Sequence, residues 1–211
     1  EFMTPDHLYV DINAASSKVK ERVANYILEV GAKFVDGAVM GSIPLKKHKT
    51  PIYISGNGAK AFKDLGEQYS MDLSFISEKP GASSAIKMFR SIFMKGLATL
   101  LWETLESSHR YGVTDQVMHS LDESLLNMSI EKLADTLIPR TALHAKRRVA
   151  EMDEVIKTLQ ELNVDETLST AVQHKLRKIE NLNLNKEFNY KAPSRFSEVL
   201  NILTTDNEVK R

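Results

Sequence analysis

Pro80-Gly81-Ala82-Ser83-Ser84-Ala85-Ile86-Lys87-Met88-Phe89-Arg90-Ser91 is the stretch at which the chain changes character. From Ala82 to about Tyr111 there is no proline, and Gly96 alone interrupts. Phe89, Phe93, Leu97, Leu100 and Leu101 recur at helical spacing, which predicts one helix of roughly 30 residues, about 45 Å long. Gly112 closes it. Downstream the pattern stays helical, with segments expected at 115–127, 130–137, 140–162, 166–181 and 194–204. Pro139, Asn163 and Asn181-Leu182-Asn183-Leu184-Asn185 mark the breaks between them.

Upstream of Pro80 short apolar runs alternate with helical patterns. Strands are expected at Leu8–Asp11, Phe34–Val39, Pro51–Ser55 and Asp72–Ile76. A helix from Ser17 to Val30 presents Val19, Val23, Tyr26, Ile27 and Val30 as its apolar face and ends at Gly31; another runs from Ala59 to Tyr69. Strands separated by helices argue for parallel pairing in an α/β layer. Three segments follow: a tag remnant and disordered start at 1–7 (Glu1-Phe2 precedes Met3), an α/β part at 8–80, and a helical part at 81–211.

Composition narrows the function classes. The 211 residues carry no net charge and no cysteine, and 42% are hydrophobic. A neutral chain has no general electrostatic pull toward nucleic acid or an acidic membrane. Without cysteine there is no disulfide, thiolate zinc site or cysteine nucleophile. No apolar run approaches the roughly 18 residues that cross a bilayer, and no signal peptide is visible, so a cytoplasmic protein is expected. His109, His119 and His174 have no partner at ligand spacing, and no metal site is expected.

Two stretches invite a chemical reading. Gly56-Asn57-Gly58-Ala59-Lys60-Ala61 follows a strand, opens a helix and has Glu78 about 20 residues on, the pattern of a phosphate-cradling turn. The strand after it leads straight into the long helix, however, so it reads better as a tight turn admitting a helix. Lys87 lies one turn into that helix, on the side of Ser83, Ser84 and Ser91. A lysine set where helix meets sheet can exchange protons with a substrate.

Order along the chain adds a resemblance. Asp11-Ile12-Asn13, then Val35-Asp36-Gly37-Ala38-Val39-Met40-Gly41-Ser42, then Ile54-Ser55-Gly56, then Gly81 to Lys87 and Ser91 resembles the 3-hydroxyisobutyrate and 6-phosphogluconate dehydrogenase superfamily. Ile86 to Leu97 and His144 to Met152 look closest to a little-characterised branch with its own helical C-terminal domain. The resemblance implies a partial Rossmann-like α/β sheet followed by an all-α domain built on a long interdomain helix. It also implies NAD or NADP as cofactor, a small hydroxy-acid or related carbonyl or imine substrate, and a homodimer formed through the helical domain.

Carried over residue by residue, Lys87 matches the catalytic lysine and Asn13 the residue near nicotinamide and substrate. Gly41 matches a substrate-loop glycine, followed by Ser42 where the family has a second glycine. Ser91 stands in place of the family asparagine, one helical turn beyond Lys87. Met40 and Ser83 depart from the family's serine and glycine, so substrate recognition is expected to differ. The family opens with a strand and phosphate-binding loop that this sequence lacks. The chain alone is therefore expected to bind cofactor weakly or not at all, and its sheet to expose an apolar edge. A non-catalytic helical dimerisation or assembly module is the alternative.

Overall fold

The computed structural model describes residues 3–208, with side chains to residue 204. The chain forms two compact units, Glu1–Gly96 and Leu97–Arg211. The sequence division at 80/81 falls ahead of the first turns of the long helix, which the sheet-bearing unit retains.

The first unit runs β1 (Leu8–Asp11), α1 (Ser17–Glu29), β2 (Lys33–Val39), α2 (Ile43–Lys46), β3 (Ile52–Ser55), α3 (Ala59–Glu67), β4 (Leu73–Ser77) and the start of α4 (Ala82–Tyr111). Its four strands lie in the order β1-β2-β3-β4. β1 pairs β2 in parallel and β3 pairs β4 in parallel. β2 and β3 are antiparallel, which corrects the parallel expectation for that pair. The reason lies in the connection from Met40 to Pro51, whose one-turn α2 and short 3-10 turn never form a crossover helix. The Met40 N–H instead donates to the Pro51 carbonyl and extends the ladder.

β2 is central and buried from Phe34 to Ala38. Alternate residues leave its two faces: Phe34 packs with Ala24, Ile27 and Ala32, and Val35 with Ile54, Ala59 and Leu73. The buried face of α1 is Lys20, Ala24 and Ile27. Tyr26 and Val30, expected on that face, are exposed, because the helix turns its small and charged residues toward the strand ends. At the edge strand β1, Tyr9 is exposed, as is Ile12 just beyond it. Residues 3–7, read as part of a disordered start, form a turn: Thr4 Oγ1 bonds His7 Nδ1 and Met3 packs on the Phe34 cluster. Glu1 and Phe2 lie outside the described residues.

The second unit continues α4 and adds α5 (Thr114–Leu125), α6 (Ile130–Glu161), α7 (Thr167–Asn181), α8 (Leu184–Glu187) and α9 (Phe196–Glu208). α4 keeps the expected bounds, and Gly112 closes it by donating to the Ser108 carbonyl. The segments 130–137 and 140–162 lie in one helical element, Ile130–Glu161, which is kinked. Pro139 is buried inside it, and the off-helix backbone falls at His144 instead. α7 starts where the Glu103 carboxylate receives the N–H groups of Leu168 and Ser169, a cap supplied by another helix. Ala142, Leu184 and Val199 form this unit's core cluster. Among the described residues no helix is long and apolar enough to cross a membrane.

Candidate functional site

Register sets a polar rank across the sheet: Asp11 lies opposite Asp36, Asp36 opposite Ser55, and Ser55 opposite Ser77. α1 and α4 both begin beside this rank. Their starts touch at Gly81, which takes φ +84° and whose added Cβ would meet the Ser17 Oγ at 2.5 Å. Only glycine fits so close an approach.

Three charged side chains interlock there. Lys20 of α1 is fully buried. Its Nζ stands 3.0 Å from Asp11 Oδ1 and 3.5 Å from Asp36 Oδ1, and donates to the Asp11 carbonyl at 2.9 Å. Two carboxylates around one ammonium leave a net negative charge that other donors must offset. Ser84 supplies them to Asp36, through its N–H at 2.9 Å and its Oγ at 2.6 Å. Ser55 Oγ reaches Asp36 at 3.4 Å and accepts the Ser83 N–H at 3.1 Å. On Asp11, burial pushes the carboxyl up. The Asn13 backbone N–H, then hydrogen bonds from Lys20 and the Asn13 side chain and the charge of Lys20, outweigh it and hold the group below its ordinary value.

Two of the residues singled out in the sequence hang from this rank. Asn13 is exposed, and both its backbone N–H and its Nδ2 donate to Asp11 Oδ1 at 2.9 Å. No described hydrogen bond engages its own Oδ1. Lys87 is half-buried, one turn beyond Ser83 and Ser84, and Ser91 is half-buried one turn further. No side-chain hydrogen bond or ion pair engages Lys87 or Ser91 among the described residues. Gly41 and Ser42 are exposed in the loop after β2, past its last residue and more than about 10 Å along the strand direction from Asp36. No described hydrogen bond joins that loop to the rank. The Ser42 carbonyl instead accepts Thr50 Oγ1 at 3.5 Å.

Lys20, Asp36, Ser55 and Ser84 were missed as site builders by sequence reasoning. A signal for the first existed: Lys20, Ala24 and Ile27 are spaced i, i+4, i+7, the spacing of a buried face. For Asp36 it was an acid inside an otherwise apolar strand.

The Gly56-to-Ala61 stretch is a turn fastened to β2. Gly56 takes φ +111°, and an added Cβ would lie 2.4 Å from the Phe34 carbonyl oxygen. Its N–H donates to the Ser77 carbonyl, and that of Gly58 to the Phe34 carbonyl, both at 3.0 Å. Asn57 Oδ1 accepts the Phe34 N–H at 2.8 Å. The N–H groups of Gly56, Gly58 and Ala59 are thus engaged within the chain. Glu78, the acid that completes the motif, pairs with Lys60 at 2.7 Å in the open.

In the helical unit the basic segment of α6 is a charged helix face: Arg147 pairs with Glu151, Arg148 donates to Thr141 Oγ1, and His144 is exposed. A concavity of about 560 Å³ lies among α4 to α7, lined by Leu100, Ser107, Tyr111, Val117, Val155 and Leu159 among others. No group of three or more acidic or histidine side chains able to hold a metal occurs among the described residues.

Residues 108–179 match a family profile described as a domain of unknown function (DUF1932). The uncharacterized 28.5 kDa protein in the 7S RNA 5′ region of Methanothermus fervidus is 30% identical over 173 residues, 82% of this chain. The chain spans 66% of that relative's length. A conserved protein of unknown function, whose structure reveals similarity with 3-hydroxyacid dehydrogenases, is 34% identical with a TM-score of 0.54; the match covers 84% of this chain and 67% of that one. An imine reductase from Bacillus cereus shares the fold at 16% identity, with a TM-score of 0.70 over 93% of this chain and 70% of its own.

Proposed function

We propose, on the premise that this chain belongs to the 3-hydroxyacid dehydrogenase-like superfamily, that it is the substrate-side portion of an NAD(P)-dependent dehydrogenase or reductase. The observation that carries the reading is the shared anchoring of Asn13 and the Lys87 helix on one buried rank. The substrate class is a small hydroxy-acid or a related carbonyl or imine compound.

The residues present fit the nicotinamide end of such a cofactor. Asn13, its nitrogen turned inward to Asp11, offers its Oδ1 as a fixed acceptor that can orient a carboxamide or a substrate hydroxyl. The Gly56-to-Ala61 turn is a poor seat for the pyrophosphate end, since the N–H groups of Gly56, Gly58 and Ala59 are already engaged within the chain. When bound, the nicotinamide supplies or accepts the hydride. Lys87 gives a proton to, or takes one from, the substrate oxygen or nitrogen at its Nζ. Ser91, one turn on, donates a hydroxyl hydrogen bond to the same substrate, and the N–H groups at Gly41 and Ser42 receive its acid group.

The chain alone binds cofactor weakly or not at all; a titration giving micromolar affinity for NADH or NADPH would refute this. Lys87→Ala is tested in the protein that carries a dinucleotide-holding segment, by following nicotinamide absorbance with a panel of hydroxy acids and imines. Removing a general acid is expected to cost about 10²–10⁴ in rate while cofactor binding is kept. Retained turnover removes Lys87 from the mechanism.

The expected partner is a second copy of the chain, held through the helical domain. Phe89, Phe93, Leu97 and Leu100 are exposed along one face of α4, and so apolar a helix face calls for cover. Leu100→Asp is expected to convert dimer to monomer by light scattering. The same exposed face, with the engaged Gly56 turn, favours one other reading: a non-catalytic assembly module. Turnover by the longer protein separates the two. A cysteine-free chain fits a cytoplasmic setting.

A further inference from the structure

We propose that Lys20 is a positioning residue, acting through Asp11 on the Asn13 carboxamide and through Asp36 on the first turn of the helix that carries Lys87. The inference rests on the reading of Asn13 and Lys87 as ligand-contacting groups.

An ammonium has three N–H donors, and Lys20 has three acceptors in reach: the Asp11 carbonyl at 2.9 Å, Asp11 Oδ1 at 3.0 Å and Asp36 Oδ1 at 3.5 Å. Fully buried and so occupied, it has no route to substrate and is no catalytic group. Its effect is on its partners. Asp11 Oδ1 receives Lys20 from the buried side and both donors of Asn13 from the exposed side. That grip fixes which end of the Asn13 amide is held, and the end with no described partner is the oxygen. Without the ammonium, the Asp11 carboxylate is a buried charge with one flank unpaired. It then swings toward water or takes up a proton, and the Asn13 amide is free to turn over.

The second arm is built the same way. Asp36 Oδ1 faces Lys20 and the Ser84 hydroxyl, while Oδ2 takes the Ser84 N–H. Ser84 lies three residues before Lys87, so the two share a helix face. The ammonium thus keys two candidate ligand contacts, 74 residues apart in sequence (87 − 13), to a single point.

A purely adhesive role predicts something different. A methionine at position 20 would then lower stability by stranding the two acids, but would leave the Asn13 signals of the folded protein in place. The test is Lys20→Met in the full chain, read by NMR on the Asn13 carboxamide and the Ser84 N–H. Ala24→Gly, on the same buried face of α1 but outside the network, is the control. Lys20→Met is expected to shift both signals and speed Asn13 side-chain exchange by about tenfold, the loss of one hydrogen bond to a charged group; Ala24→Gly leaves them in place. Unchanged Asn13 signals in a folded Lys20→Met protein overturn the proposal. Should that variant not fold, the unsubstituted protein decides. A slowly exchanging Lys20 ammonium with through-bond coupling to the Asp11 carboxyl carbon supports the role, and a freely exchanging, uncoupled one overturns it. If Lys87→Ala retains turnover while Asn13 responds to Lys20→Met, the positioning of Asn13 stands and the assignment of Lys87 falls.

Discussion

Replacing Asp36 by alanine should loosen the start of α4 from the sheet by an amount that can be worked out from its contacts. The carboxylate receives two short hydrogen bonds from Ser84, at 2.6 and 2.9 Å. The contact from Ser55, at 3.4 Å, is too long to count for much. Hydrogen bonds to a charged group contribute about 1.5–3 kcal/mol each, so the gross loss is about 3–6 kcal/mol. Two effects reduce it. Lys20 keeps Asp11 and its carbonyl, and one buried negative charge disappears. The lower end of the range, about 3 kcal/mol, is therefore expected. Trp102 reports on the other unit, so fluorescence would miss the change. Native-state hydrogen exchange read by mass spectrometry on peptides covering 33–39 and 82–91 would see it, as an acceleration of about a hundredfold. Peptides from α6 and α7 should exchange as before. Less than about threefold acceleration in the two reporting peptides would refute the idea that this carboxylate fastens the helix.

Three further outcomes follow from the same coordinates. Gly56→Ala places a methyl 2.4 Å from the Phe34 carbonyl at φ +111°; it should destabilise the sheet unit by about 3 kcal/mol or more, seen as faster exchange in β2 and β3. Glu103→Ala uncaps α7 at Leu168 and Ser169 and should cost about 1–2 kcal/mol in urea denaturation followed at Trp102. Asp11 has a lowered folded pKa, so its contribution is present above the unfolded carboxyl value of about 4 and is lost as pH falls through the lower folded value. Protection factors at β1, corrected for the intrinsic exchange rate, should therefore fall on acidification below about pH 4, and less so in Asp11→Asn.

How much of this was legible in the sequence differs from one element to the next. α4 was readable to the residue, because nothing between Ala82 and Tyr111 stops a helix and Gly112 does. The continuity of α6 was not. A proline usually ends a helix by removing a donor and crowding the preceding turn, yet Pro139 is buried within the helix and the backbone departs from it only at His144. The reversal between β2 and β3 was hidden for another reason: a dozen connecting residues look long enough for a crossover, and only their pairing shows that they return. At the candidate site, Asn13 and Lys87 were singled out from motif order, whereas Lys20 was not. Periodicity counts a lysine as solvent-facing, and only Asp11 and Asp36 together make its burial tolerable.

That mutual dependence bears on how the sequence can drift. Losing the lysine strands two acids, while losing either acid leaves the remaining pair closer to neutrality. Divergence through single steps is therefore lopsided: an acid can go first and the lysine after it, but hardly the reverse. Among relatives that retain Asn13 and Lys87, the pairing of position 20 with position 36 should be inherited as a block.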